Sequence, residues 1–113
     1  EKSRGLKDSA MGIVGLETAF AALNTHLVKR GVITLEHLIR IMSDNPRKVF
    51  RIEGGINIGQ RADIVLLDPN KKWTVESSKF YSMGKITMFD GKDMVGDIAM
   101  TIHHGKVVYN NMK

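Results

Sequence analysis

The sequence predicts an α/β fold with helices in the first half of the chain and β-strands in the second. Two observations support this fold class. Apolar residues recur at helical spacing between residues 16 and 42, and beyond residue 55 they form short aliphatic runs bounded by Gly, Asp and Pro. Helices followed by strands indicate two structural regions, covering residues 1–54 and 55–113 with the boundary in the Glu-Gly-Gly stretch at 53–55.

Two amphipathic helices are predicted in the first region. Gly31 follows two basic residues as the stop signal of the first helix, and Thr34 is the predicted N-cap of the second. Asn45-Pro46 predicts a third, short helix with Asn as its cap and Pro at its first position. The apolar stripes of the first two helices consist of Leu16, Phe20, Leu23 and Leu27 and of Leu35, Leu38, Ile39 and Met42.

The second region changes to the pattern of strands. Residues 62–68 read ADIVLLD, in which four consecutive aliphatic residues predict a short strand buried on both faces. Residues 73–75 predict another strand, and residues 98–102 and 106–109 predict a hairpin around a His-His-Gly turn. The helix stripes and the buried strand both need a partner surface, which suits a part of a larger protein better than a free-standing domain.

Composition narrows the class of protein. The chain is 42% hydrophobic and 26% charged, and it carries a net charge of +5 with no basic run longer than two residues. A nucleic-acid-binding module, which would show salt-sensitive affinity for DNA, is therefore the last alternative. The chain has no cysteine, no apolar run near 20 residues and a polar start, so a cytoplasmic protein without a membrane partner is expected.

Catalytic side chains are sparse. His26 and His37 lie off the apolar stripes of the predicted helices, where we expect them to be solvated. His103 and His104 are adjacent, and adjacent strand residues point to opposite faces, so one metal ion cannot easily take both unless the turn folds them together. No zinc motif, Gly-x-Ser-x-Gly elbow or paired carboxylate is present, and Asp63 has no carboxylate partner at a useful spacing.

One loop could contact a ligand through its backbone. Gly12 and Gly15 precede the first helix, and glycines there would let a backbone approach a ligand closely. The alternative is a plain turn before the helix. Spacing and period alone do not name a reaction.

The chain as a whole resembles the bacterial dihydroorotases of the amidohydrolase superfamily. Residues 11–20, MGIVGLETAF, are similar to the stretch after the last barrel strand, and residues 55–68 look like the Gly-x-Ile-x-x-Gly-x-x-Ala-Asp signature of the superfamily. Further similar segments follow in the same order, which makes the resemblance more specific than any single motif. They are residues 33–36, 43–50, 73–75, 82–85, 89–91 and 105–109.

The resemblance implies a zinc-dependent enzyme built on a (β/α)₈ barrel with a small β-sandwich beside it. Such an enzyme interconverts dihydroorotate and N-carbamoyl-L-aspartate in pyrimidine biosynthesis. This chain would be its C-terminal piece, with residues 1–54 as the last barrel loop and helices and residues 55–113 as sandwich strands. The zinc ligands would lie upstream of Glu1, so the chain alone is expected to bind no metal and to be inactive. Its partners would be the remainder of the polypeptide, the substrate and, in the intact enzyme, a second copy in a homodimer.

One functional pair carries over from the resemblance. In the family, the two residues before Ile-Val-Gly-Leu-Glu contact the substrate, which maps onto Met11 and Gly12. The family pattern there is Ala-Pro-Phe-Gly, whereas residues 9–12 read Ser-Ala-Met-Gly, and this difference bears on substrate affinity. The alternatives are a hydantoinase- or allantoinase-type cyclic amidohydrolase and a non-catalytic, dihydroorotase-like assembly module. A His-x-His pair in the upstream sequence would favour an enzyme.

Overall fold

The computed structural model describes residues 5–8 and 12–112, and it confirms an α/β class with helices followed by strands. The helices are α1 (Gly5–Asp8), α2 (Ala19–Leu23), α3 (Leu35–Ile39) and α4 (Asn45–Phe50). The strands β1 (Ile64–Thr74), β2 (Asp93–His103) and β3 (Lys106–Asn110) form an antiparallel sheet in the order β1-β2-β3. No helix within the described part of the chain is long and apolar enough to cross a membrane.

Helix α2 is the middle part of a longer helical segment. A 3-10 turn, Leu16–Thr18, precedes it and a wider π-helical turn, Asn24–Val28, follows it. The prediction that Leu16 belongs to the buried stripe is wrong, because Leu16 is 88% exposed. A 3-10 turn rotates the chain further per residue than an α-helix does, so Leu16 does not share the face of Phe20, which is buried.

The second helical segment begins where the sequence predicts. The Thr34 hydroxyl oxygen accepts a hydrogen bond from the His37 backbone N–H at 3.1 Å, which confirms the N-cap. Gly31, with φ of 72°, lies in the connection between the two helical segments, as expected for a stop signal. Leu38 is 1% exposed and belongs to the buried face, but Met42 is 39% exposed. Met42 lies in a π-helical turn, Arg40–Asp44, whose wider period moves it off the stripe.

The prediction that Asn45 caps a separate third helix is wrong. Asn45 has helical angles, and helical structure runs without a break from α3 through Arg40–Asp44 into α4. Pro46 has no N–H to donate to the preceding turn, and the wider turn directly before α4 accommodates this loss. The helix ends at Arg51, which adopts the left-handed conformation with φ of 53°.

The two strands predicted at residues 62–68 and 73–75 are one strand, β1. An irregularity between Asp68 and Lys72 bends β1, and the Asp68 carboxylate accepts hydrogen bonds from the backbone N–H groups of Asn70 and Lys71. Within this chain the strand is not buried on both faces, since Val65 is 50% exposed. The predicted hairpin is confirmed as β2 and β3, with His103 paired to Lys106.

The helices and the sheet meet at the π-helical turn that follows α2. The buried Asn24 side chain donates from Nδ2 to the carbonyl oxygens of Val95 at 2.8 Å and Pro69 at 3.0 Å. A Cβ on Gly96 would lie 2.8 Å from Asn24 Nδ2, so only glycine allows this close approach. The hydrophobic core lies beside this junction and comprises Ala21, Ala22, Val75, Phe80 and Met94.

Candidate functional site

Gly12, one of the two predicted substrate-binding residues, lies in an open segment of the chain. Its φ of +80° is a conformation that favours glycine, and it is exposed. No heavy atom outside its immediate neighbours lies within 4 Å of the position where a Cβ would sit. The backbone at Gly12 is therefore accessible to another molecule. Met11, the second predicted residue, lies outside the described residues.

The loop that follows Gly12 is held against a distant segment. The Val14 N–H donates a hydrogen bond to the Ile86 carbonyl oxygen at 2.8 Å. Gly84 packs closely on the same residue, because a Cβ at Gly84 would lie 2.9 Å from Val14 Cγ2. These contacts fix the loop between Gly12 and the helical segment, as a substrate-contacting loop requires.

Glu17 provides a second anchor that the sequence analysis missed. Its carboxylate accepts hydrogen bonds from the Tyr81 N–H at 2.9 Å, the Ser82 N–H at 3.0 Å and the Ser82 hydroxyl at 2.7 Å. Partial burial raises the pKa of Glu17, but these hydrogen bonds outweigh it, so that the pKa is lowered overall. Its partners lie 64 and 65 residues away along the chain, and no local pattern could have indicated them.

A groove of about 440 Å³ lies between this anchor and the sheet. Its apolar wall includes Trp73 and Tyr109, and its polar wall contains Lys71 and Asp97, whose side chains form an ion pair at 2.7 Å. Hydrogen bonding to Asp97 raises the pKa of Lys71 despite some desolvation. Because these two charges are already paired, the groove presents apolar surface rather than a free acid or base.

The histidines at the β2–β3 turn are arranged differently from the prediction. His104 adopts the left-handed conformation with φ of 50°, which brings its ring centroid to 4.1 Å from that of His103. The expectation that the two side chains point to opposite faces is therefore wrong, because His104 lies in the turn and not in a regular strand. His26 and His37 are exposed, as expected.

Asp63 lies beside these two histidines. Its Oδ1 accepts a hydrogen bond from the His104 backbone N–H at 2.8 Å and lies 3.0 Å from His103 Nδ1, while Oδ2 accepts one from Arg61 Nε at 2.6 Å. The His104 hydrogen bond is the main reason that the pKa of Asp63 is lowered to about 2. The sequence analysis assigned Asp63 no partner, since these groups are about 40 residues apart in the chain.

Comparison with known proteins gives consistent relatives. The model of the family described as "Amidohydrolase family" matches residues 3–108. A dihydroorotase of Thermoanaerobacter sp. (strain X514) is 46% identical over 101 residues, which cover 89% of this chain and 23% of that protein. A dihydroorotase of Clostridium acetobutylicum is 39% identical over 112 residues, covering 98% of this chain and 26% of that protein.

Solved structures with the same fold are hydantoinases. The L-hydantoinase (dihydropyrimidinase) from Arthrobacter aurescens superposes with a TM-score of 0.83 at 32% identity, covering 93% of this chain and 24% of that one. The D-hydantoinase (dihydropyrimidinase) from Thermus sp. gives a TM-score of 0.80 at 24% identity, covering 92% and 23% respectively, and supports the fold alone. The chain spans about a quarter of the length of the relatives it matches.

Proposed function

Because this chain belongs to the amidohydrolase family, we propose that it is the C-terminal segment of a dihydroorotase, which interconverts dihydroorotate and N-carbamoyl-L-aspartate. In the hydrolytic direction water adds across a ring amide: the carbonyl carbon gains a hydroxyl group and the ring nitrogen gains a proton. The observation that carries this proposal is the 39–46% identity to dihydroorotases over most of the chain, which exceeds the 32% identity to a solved hydantoinase.

We propose the same division of the chain as from the sequence. Residues 1–54 would be the last loop and helices of a (β/α)₈ barrel, and residues 55–113 would be strands of a neighbouring β-sandwich. The exposed apolar side chains on both parts support this architecture, because barrel helices and sandwich strands bury such side chains against other elements. A cytoplasmic homodimer acting in pyrimidine biosynthesis follows from the same resemblance.

Within this segment, Met11 and Gly12 are the proposed substrate-binding residues. The open backbone at Gly12 and the anchoring of the loop through Val14 and Glu17 support this role. Zinc is the metal that the family resemblance implies. Since no described side chain lies within 4 Å of the Cβ position at Gly12, we assign no ligand at this loop to the catalytic metal and place those ligands elsewhere in the whole enzyme.

The proposed role of Gly12 is tested in the full-length protein that carries this chain. We expect Gly12→Val to lower kcat/KM for dihydroorotate about tenfold, equivalent to about 1.4 kcal/mol, mainly through KM, because the side chain obstructs the approach of the ring. Zinc content should not change. Steady-state kinetics in both directions and metal analysis measure these effects.

Gly59→Val is the matched control for this substitution. Gly59 has a φ of +85°, is exposed and has no heavy atom within 4 Å of a Cβ, so it resembles Gly12 in strain and in space. We expect this control to keep kcat/KM within about twofold of the wild type. Equal losses in both variants would show that backbone strain, and not substrate contact, explains the effect of Gly12→Val.

A hydantoinase is the second candidate, favoured by the structural match to the Arthrobacter aurescens enzyme. The same full-length protein distinguishes the two candidates when it is assayed with dihydroorotate and with hydantoin. A higher kcat/KM for hydantoin would replace our proposal with the second candidate. Turnover of neither compound, in a protein that folds and contains metal, would favour a non-catalytic assembly module.

A further inference from the structure

We propose that Asp63, His103 and His104 form a surface site for a divalent transition-metal ion, with Zn²⁺ as the representative ion. Each of the three residues offers one ligand atom, and these atoms lie within 4.8 Å of one another. The proposal replaces our expectation from the sequence that this chain alone binds no metal, and it is independent of the proposed dihydroorotase activity.

The fold brings the three side chains together through the start of β1 and the β2–β3 turn. Asp63 directly precedes Ile64, which pairs with Ile102 on β2, so that Asp63 lies next to His103. The turn is fastened to this place by two backbone donors: the His104 N–H binds Asp63 Oδ1 at 2.8 Å, and the Gly105 N–H binds the Ala62 carbonyl oxygen at 2.9 Å. The backbone of the site is therefore formed before any ion binds.

The turn geometry decides that both imidazoles share one side. His104 and Gly105 have φ values of 50° and 76°, which are typical of a two-residue type I′ turn. Positive φ at a non-glycine residue is uncommon, although His is among the residues enriched there. Because of this conformation the two rings approach to a centroid distance of 4.1 Å.

The donor set matches the proposed class of ion. Two imidazoles and one carboxylate are ligands that zinc, nickel and copper bind well, whereas magnesium and calcium prefer oxygen atoms alone. The carboxylate is ionised at neutral pH, since the pKa of Asp63 is about 2. Both histidines are exposed, so that water can occupy the remaining coordination positions.

Arg61 orients the carboxylate and also opposes the ion. Its Nε holds Asp63 Oδ2 at 2.6 Å, which leaves Oδ1 directed towards His103. The guanidinium charge repels a cation, and the His103 Nδ1 proton must leave if that nitrogen becomes a ligand. Three protein ligands on an exposed surface, with a cation nearby, predict micromolar affinity on the order of 1–100 μM and not a closed structural site.

The test measures bound Zn²⁺ per chain by equilibrium dialysis of the full-length protein that carries this sequence. We compare the wild type with the double variant His103→Gln, His104→Asn. Asn-Gly is a preferred dipeptide of type I′ turns, so His104→Asn removes the ligand but keeps the hairpin. The matched control is His26→Gln, His37→Asn, which removes two exposed histidines from the helical segments.

We expect the wild type and the control to bind one more Zn²⁺ per chain than the double variant, with all three showing the same circular dichroism. Zinc bound elsewhere in the protein is common to all and cancels in the difference. Asp63→Asn should weaken this additional Zn²⁺ at least tenfold. Equal zinc content in the wild type and the double variant would overturn the proposal, as would equal loss in the control. If the double variant misfolds, His104→Asn alone, with its preserved turn, decides by the same criteria.

Discussion

The junction between α2 and β2 differs sharply from the apolar surface that the chain exposes elsewhere. At the junction and in the adjoining core, Val75 and Met94 are 0% and 1% exposed. On α4 and the loop that follows it, Phe50 is 73% exposed and Ile56 is 89% exposed. Seven hydrophobic residues are buried among the described residues, whereas eighteen large hydrophobic side chains are exposed. The chain thus has a small core of its own and a larger surface suited to a partner.

The extended shape leads to the same conclusion. The radius of gyration is 16.2 Å, whereas a compact domain of about 100 residues has one of about 13 Å. Each large apolar side chain that becomes buried contributes about 1.5–3 kcal/mol. Since domain stabilities total only about 5–15 kcal/mol, covering even a few of these side chains decides whether the chain is stable.

The largest expected effect is on the isolated chain. We expect the 113-residue chain alone to associate or to form a molten state through its exposed apolar surface. Sedimentation velocity and the binding of a hydrophobic dye measure this, and Val49→Ser with Phe50→Ser should reduce both signals. A cooperative unfolding transition from a clean monomer without dye binding would show that the chain is a self-sufficient domain.

The core should be sensitive to truncation in any polypeptide that folds. Met94→Ala removes most of a fully buried side chain and should lower the free energy of unfolding by about 2–5 kcal/mol, as urea denaturation of the full-length protein would show. The comparison is sharpened by Phe50→Ala in the same protein. A loss of about 3–5 kcal/mol there would show that the rest of the protein covers α4, whereas a loss under about 0.5 kcal/mol would mean that α4 stays exposed.

Gly96 tests the close contact at the junction itself. In Gly96→Ala the new Cβ meets both Asn24 and Phe20 at 3.0 Å or less, in a backbone with φ of 107°. Gly91→Ala is the control, because Gly91 has a φ of +71° but no atom within 4 Å. We expect the control to lower the free energy of unfolding by about 1–2 kcal/mol from strain, and Gly96→Ala to lower it by at least about 1 kcal/mol more. Equal losses would contradict a tight junction.

The smallest effect concerns the pH dependence at the hairpin turn. The pKa of Asp63 falls from 3.8 to about 2 on folding, so its contribution to stability is complete above about pH 4 and is lost as the pH falls towards 2. The difference in melting temperature between the wild type and Asp63→Asn should therefore shrink over this range. A difference that stays constant from pH 5 to pH 2 would argue against the hydrogen bonds at this carboxylate.

Local features of the fold could be predicted because their causes lie within a few residues. The Thr34 cap and the β2–β3 hairpin follow from neighbouring residues, and both are confirmed. The resemblance to the amidohydrolases is also confirmed, since the family model matches residues 3–108. The stripe positions of Leu16 and Met42 were wrong because an ideal helical period was assumed where the helix tightens or widens. The role of Met11 and Gly12 stays a prediction.

The sequence by itself determined the α/β class, the helix starts and stops, the turn at His104-Gly105 and the family. Only the tertiary structure decided the contacts that build sites: Glu17 with Ser82, 65 residues apart, and Asn24 with Val95, 71 residues apart. The same holds for Asp63 with His104, 41 residues apart. The physical reason is that propensity and periodicity act over a few residues, whereas a hydrogen bond between distant residues depends on how the elements pack.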